Sequence, residues 1–307
     1  MIDEHALCSI GIPTFDRPAA LSRTIETFRK QSYPHLEIII SDNASPSPEV
    51  ESLCRQAAKE DSRVRYFRQS ENLGSSANFE FVLTHAAGDY FMWAADDDRR
   101  EPDCVETLVK VLQARPNVAL ATHETQYETP EGPFAFFPQC AAFYNGTPGH
   151  GAQRVEYASQ FATDNMVYGL FRRDALFHRG KPITQMVGPS LNEHPVFALV
   201  AAKGEFFSLP QIGFRKSAPQ GVCENAYWEC RGGPHPHGRH LRNWKGTLGY
   251  HRDVLESIVM AYDALDFPSN EIAKLKQSVS RRIYLHFLYY IFGRKPRIAA
   301  SELFESA

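Results

Sequence analysis

Apolar and polar positions alternate between two patterns over residues 1–124. Short, mostly apolar runs, "LCSIGIP", "LEIIISD", "VRYFRQ", "DYFMWAA" and "VALATHE", are separated by stretches such as "PAALSRTIETFRKQ" and "PDCVETLVKVLQAR", whose apolar residues recur three and four apart. Continuous apolar strands between amphipathic helices predict a mainly parallel sheet covered on both faces, so this part should be an α/β half. Helix-end chemistry agrees. Ser47 stands before Pro48 as an N-cap, Asp103 precedes Glu106 by three residues, and Gly88 is placed to close the helix after "SSANFEFVLTHAA".

Beyond residue 124 the texture changes. "YETPEGPFAFFPQCAAFYNGTPGHG" follows neither period and predicts loops and a hairpin between residues 125 and 165. "MVYGLFRRDAL" reads as a strand running into a short helix, "NEHPVFALVAAKG" as a helix ended by Gly204, and "EFFSLPQIGFRKS" as two short strands. After a loop at 217–240, "LRNWKGTLGYHRDVLESIVMAYDAL" and "SNEIAKLKQSVSRRIYLHFLYYIFGRK" read as helical.

Composition narrows the classes of partner. With 307 residues, 43% hydrophobic and 22% charged, the chain can bury one large or two small cores. Its formal net charge of -3 gives no overall attraction to nucleic acid, so an anionic ligand needs a local site. Six scattered cysteines (Cys8, Cys54, Cys104, Cys140, Cys223, Cys230) and an acidic opening, "MIDEHALCSIGIP", without a signal-peptide pattern lead us to expect free thiols in a reducing cytoplasm. No run approaches the roughly 20 apolar residues that span a bilayer.

Ligands of an open parallel sheet bind beyond the carboxyl ends of its strands. Those ends carry "PTFDR" (Pro13 to Arg17), "SDNAS" (Ser41 to Ser45), "ENLGSSAN" (Glu71 to Asn78) and "ADDD" (Ala95 to Asp98). Any one of them is explained by ordinary turn chemistry, but four on one rim point to a binding site. Neither G-x-G-x-x-G nor G-x-x-x-x-G-K-[ST] is present, which argues against a dinucleotide cradle or a P-loop. Asp96, Asp97 and Asp98 repel one another unless solvated, used as caps, or gathered round a hard divalent cation that could bridge to a diphosphate.

In order and spacing these pieces resemble the inverting family 2 glycosyltransferases, whose fold is the GT-A type. The resemblance covers roughly the first two hundred residues and is strongest in the first hundred. It implies a mainly parallel sheet flanked by helices with a helical C-terminal extension. It further implies a nucleotide-sugar-binding and catalytic unit at 1–216, with donor half 1–124 and acceptor half 125–216, followed by a flexible loop and helical region at 217–307. On this likeness Pro13, Thr14 and Phe15 pack round the nucleotide base and Asp42, beside Asn43, hydrogen-bonds it. Arg17 joins this set, and the stretch from Asn72 to Asn78 lies against the ribose and diphosphate. The triplet looks like the family's D-x-D motif, with Asp96 and Asp97 at the nucleotide sugar and Asp96 and Asp98 holding Mn2+ or Mg2+. Many members have their first aspartate where Ala95 stands here, which is a departure from the pattern.

The resemblance makes Glu193 the catalytic base, although a glutamate in the first turn of any helix is favoured by the helix dipole. Arg172 and Arg173 resemble acceptor-site residues, surface arginines being the plainer alternative. The implied reaction is a single inverting displacement from a nucleotide-diphosphate sugar, UDP favoured, to a hydroxyl of a saccharide or lipid-linked saccharide in surface polysaccharide synthesis. A non-catalytic scaffold of the same fold is the alternative from another class, and a sugar nucleotidylyltransferase is the enzymatic one.

Two more constellations stand apart. Cys223, Cys230, His235, His237 and His240 could hold zinc, but their spacing suits a loop closing over the donor better, with one histidine completing the metal shell. "SRRIYLHFLYYIFGRKPR" interleaves aromatics with Arg281, Arg282, Arg294, Lys295 and Arg297, the composition of a peripheral contact at the inner face of a membrane or of a core helix with a basic end.

Overall fold

The computed structural model describes residues 5–97, 99–129, 132–135, 150–161, 164–186, 193–217 and 244–292. Asp98, the cysteine- and histidine-bearing loop at 218–243 and the basic residues Arg294, Lys295 and Arg297 lie outside them. The strands are β1 (Cys8–Thr14), β2 (Leu36–Asp42), β3 (Val64–Arg68), β4 (Tyr90–Trp93), β5 (Arg99–Arg100), β6 (Val118–Thr129), β7 (Gly132–Ala135), β8 (Leu170–Arg172), β9 (Phe177–His178), β10 (Lys181–Pro182) and β11 (Glu205–Ser217). The main sheet runs in the order β3-β2-β1-β4-β8-β6-β11-β5, with β7 paired to β6 and β9-β10 a separate ribbon. The pairs β3-β2, β2-β1, β1-β4 and β6-β11 are parallel. Because β8 is antiparallel to both β4 and β6, those two strands also run the same way, and six strands end on one rim.

Helices α1 (Pro18–Arg29), α2 (Pro48–Glu60) and α4 (Cys104–Ala114) cover one face of the sheet. On the other lie α3 (Ser75–Thr84), α5 (Ala152–Phe161), α6 (Glu193–Lys203), α7 (Trp244–Asp263) and α8 (Ser269–Phe292). Strand alternation divides the core accordingly: Tyr90 and Met92 of β4 point into the α1-α2-α4 cluster, Phe91 and Trp93 into the other. Gly88, ahead of β4, passes so close to β1 that a Cβ would stand 2.6 Å from the Leu7 carbonyl oxygen.

Several local expectations are met and others corrected. Ser47 caps α2, its Oγ accepting the Glu49 N–H at 3.2 Å, and Gly204 follows α6. Asp103 precedes α4 without a side-chain cap, its backbone (φ -101, ψ 8) not being the extended one of a capping residue, and Glu106 binds Ser32 and Lys110. Helix α3 ends at Thr84, so Gly88 serves the close approach and not the helix end. "EFFSLPQIGFRKS" is one strand with bulges, paired along its length with β6, and α5 lies where loops were expected. The two halves share one sheet. Arg282 departs from the membrane reading: it is half-buried, its pKa lowered by that burial, with Tyr262 and Glu156 as compensating neighbours. Among the described residues no helix is long and apolar enough to cross a membrane.

Candidate active site

The rim beyond β1, β2, β3 and β4 is a lattice of short polar side chains. Asp42, the last residue of β2, is fully buried. Its Oδ1 accepts the Ser45 N–H at 2.8 Å, while Oδ2 accepts the Tyr66 hydroxyl at 3.1 Å and Arg68 Nη1 at 2.7 Å. Burial, reinforced by the Asp42 charge, pushes the Tyr66 hydroxyl up to about 12. Asn78, on the first turn of α3, donates to the Ser41 carbonyl at 3.0 Å and accepts the Ser41 hydroxyl at 2.6 Å, tying α3 to β2. Asn43 donates to Asn72 Oδ1 at 2.9 Å and accepts the Leu73 N–H at 2.9 Å, which shapes the turn before α3. Asp16 (φ 55) and Ala44 (φ 60) are left-handed, a strained arrangement for residues with a Cβ. It is held by Asp16 N–H donating to Ser45 Oγ at 2.9 Å. Phe15 and Leu73 stand out from this polar frame, 43% and 48% exposed.

The acidic segment meets the first loop directly. Thr14 Oγ1 donates to Asp96 Oδ2 at 2.8 Å, and Arg17 Nη1 donates to Asp96 Oδ1 at 3.2 Å and to Asp97 Oδ2 at 3.3 Å. Burial holds the Asp96 carboxyl above its usual range, the Thr14 bond and Arg17 opposing the rise and Asp97 adding to it. Among the described residues no cluster of three or more histidine, cysteine or acidic side chains is present, Asp98 lying outside them. Asp96 and Asp97 are nonetheless hard oxygen donors that already grip a cation, the guanidinium of Arg17. That suits Mg2+ or Mn2+, commonly held by one or two carboxylates with water and substrate phosphates supplying the rest.

The second half contributes from the same rim. Since β11 runs towards the rim, the helix leading into its start runs the opposite way, so the first residue of α6, Glu193, lies at the rim end. Arg154 Nε caps the other end of α6 through the Ala201 carbonyl at 2.5 Å. Glu80 of α3 receives Thr184 and Gln185 at 2.8 and 2.7 Å and so ties the short turn Ile183–Met186 to α3.

Arg172 and Arg173, expected at the acceptor, lie away from the aspartates. Antiparallel β8 pairs Arg172 with Tyr90, the first residue of β4, at the edge away from the aspartates. There Arg172 Nε donates to the Val118 carbonyl at 2.8 Å and Nη2 to the Leu112 and Arg115 carbonyls, satisfying the end of α4. Arg173 lies over the Phe177 ring.

At the rim ends of β6 and β11 a different group assembles. Asn165 Nδ2 donates to the Tyr127 hydroxyl at 2.7 Å, and Lys216 reaches Asn165 Oδ1 at 3.4 Å while lying 5.4 Å from the Tyr168 ring centre. Arg100, four residues past Asp96, joins it by donating to the Tyr168 carbonyl at 3.1 Å. Sequence reasoning missed this group, whose members are brought together by pairing between distant strands. It also missed Arg68, although an arginine ending the strand next to Asp42's was a usable signal.

Comparison with known proteins agrees with this geometry. The family model described as "Glycosyl transferase family 2" matches residues 9–176. Over 103 residues the chain is 32% identical to the GalNAc(5)-diNAcBac-PP-undecaprenol beta-1,3-glucosyltransferase of Campylobacter jejuni, a match covering 33% of each chain. Over 131 residues it is 26% identical to the glycosyltransferase GlyG of Streptococcus pneumoniae, covering 43% of each. These matches thus span less than half of either relative. Among solved structures, S. aureus TarS 1-349 aligns over 97% of this chain and 77% of its own with TM-score 0.62 at 10% identity. The Mannosyltransferase PcManGT from Pyrobaculum calidifontis, in complex with GDP-Man and Mn2+, aligns over 99% and 88% with TM-score 0.54 at 16% identity. At such identities the likeness is one of fold, the GT-A type.

Proposed function

The chain belongs to glycosyl transferase family 2, and on that premise we propose that it moves a sugar from a nucleotide-diphosphate sugar, UDP favoured, to a hydroxyl of a saccharide or lipid-linked saccharide, with inversion. The observation that carries the reading is the convergence on one rim of the buried Asp42 lattice, the Thr14-Arg17-Asp96-Asp97 contacts and the start of α6. Solved relatives of the same fold include a TarS structure in complex with UDP-GlcNAc, which supports a nucleotide sugar as donor.

In this reading Pro13, Thr14 and Phe15 cover the base, and the buried Asp42 fixes the Ser45 loop and the partly exposed Arg68 that line its edge. Asn72 to Asn78 shape the floor under the ribose and diphosphate. A bound Mn2+ or Mg2+, held by Asp96 with Asp97 or Asp98, would offset the charge that grows on the departing diphosphate. Glu193 takes the proton of the acceptor hydroxyl as that oxygen attacks the anomeric carbon from the face opposite the leaving group, so the configuration inverts. The acceptor lies against Tyr127, Asn165, Tyr168 and Lys216, where ring faces, an amide and an ammonium suit a saccharide. We take 1–124 as the donor half and 125–216 as the acceptor half. A cytoplasmic setting accords with the buried, unbridged thiols of Cys8, Cys54 and Cys104. A lipid-linked acceptor would bring the protein to the inner face of the membrane, with Arg281 and Tyr284 of α8 exposed.

Isothermal titration of UDP, dTDP and GDP, with and without Mn2+, into the protein and into Asp98→Ala tests the donor site. The expected result is metal-dependent binding of one diphosphate, lost in the variant. Binding of none of the three favours the non-catalytic scaffold instead.

A further inference from the structure

Arg17 stands at the N-terminus of α1, and its guanidinium holds the two described carboxylates of the acidic segment, Asp96 at 3.2 Å and Asp97 at 3.3 Å. The side chain is 58% exposed, so it can swing away from the two carboxylates into solvent. Asp96 cannot follow it: its side chain is only 9% exposed, and Thr14 holds the second oxygen at 2.8 Å. A divalent cation placed on Asp96 and Asp97 would therefore share their oxygens with the Arg17 charge until that side chain swings away, and like charges at that range repel. A diphosphate changes the balance, because it adds negative charge on the same rim.

We propose, resting on the donor-site reading above, that Arg17 is a positioning cation that exchanges partners. It pairs with Asp96 and Asp97 when no metal is bound, offsetting part of their charge, and transfers to the donor diphosphate when metal and nucleotide arrive together. Metal alone has to displace Arg17 against repulsion. Metal with nucleotide does not, since the diphosphate takes Arg17 over. The site thus favours the metal-nucleotide pair over either component alone.

The test measures two affinities in the full chain, in Arg17→Ala and in Arg17→Lys. Mn2+ alone is followed by the electron paramagnetic resonance signal of the free ion, and UDP by calorimetry in saturating Mn2+. Arg17→Ala should bind Mn2+ alone about fivefold more tightly, and UDP in Mn2+ about fivefold more weakly, the range expected for losing a partly exposed ion pair. Arg17→Lys should fall between on both axes. A purely structural role would weaken both affinities together, so opposite signs distinguish the exchange from loss of local order. An unchanged or weaker affinity for Mn2+ alone in Arg17→Ala overturns the exchange, and the donor site survives if UDP binding stays Mn2+-dependent. UDP binding indifferent to Mn2+ in the unaltered chain removes the metal reading and the exchange with it. Unchanged thermal midpoints in both variants confirm that folding is not what is being measured.

Discussion

His123 offers the sharpest quantitative test of the scaffold behind the site. Its ring lies on β6 beneath β11, so close that a Cβ on Gly213 would stand 2.4 Å from it. The Gly213 carbonyl in turn receives the Glu101 N–H at 3.1 Å, next to β5 and the acidic segment. One ring nitrogen lies 2.9 Å from Thr107 Oγ1, the other 3.6 Å from Cys104 Sγ. Burial, with Arg100 nearby, lowers its pKa from 6.5 to about 4. A base whose folded pKa is depressed stabilises the fold fully above its unfolded pKa and loses that contribution as pH falls towards the folded value. Each pH unit inside that window is worth about 1.4 kcal/mol, and integrating both titrations between about pH 7.5 and about pH 5 gives a loss of about 2 kcal/mol. Denaturant unfolding at those two values should therefore show the unaltered chain losing about 2 kcal/mol more than His123→Gln, whose amide can still reach Thr107. Other titrating groups, including Asp96 with its opposite sign, cancel in the difference. Equal losses in the two proteins would refute the buried neutral histidine.

Two further outcomes follow from the same contacts. Arg68→Ala leaves the Asp42 carboxylate buried with Tyr66 and Ser45 as remaining partners, and should show a lower unfolding midpoint together with weaker UDP binding in calorimetry. Arg172→Ala uncaps α4 and should cost about 1 to 2 kcal/mol in denaturant unfolding while UDP affinity with Mn2+ stays unchanged, whereas a fall in that affinity with no loss of stability would restore Arg172 to the site.

Much of this architecture was legible because its signals are local. The strand and helix periods over residues 8–120 come from neighbouring residues, and so do the Ser47 cap and the polar loops at the strand ends. Parallel pairing needs only the alternation of the two periods, which is why Thr14, Asp42, Asn43, Asn78 and Asp96 could be assigned to one rim before their contacts were known. The same local reading failed for Asp103, whose backbone (φ -101, ψ 8) is not the extended conformation that lets a side chain cap the helix. It failed for β11 as well, whose bulged length is set by pairing with β6 and not by its own residues.

What the amino-acid order determined by itself was the kind of element at each position and the chemistry carried on each strand end. Direction and depth came only with the tertiary structure. A three-residue strand such as Leu170–Arg172 has no direction until it pairs, and its antiparallel placement between β4 and β6 turns Arg172 away from the rim and onto the carbonyls of α4. Lys216, Tyr127 and Asn165 are distant in the chain and meet because β6 and β11 run side by side. Burial is likewise a sum over the whole fold: it separates Asp42, sealed by Arg68 and Tyr66, from Asp97, whose exposed carboxylate shares Arg17 with Asp96. A residue's own neighbours in sequence carry its propensity, while its dielectric surroundings and its partners come from segments that only folding brings near.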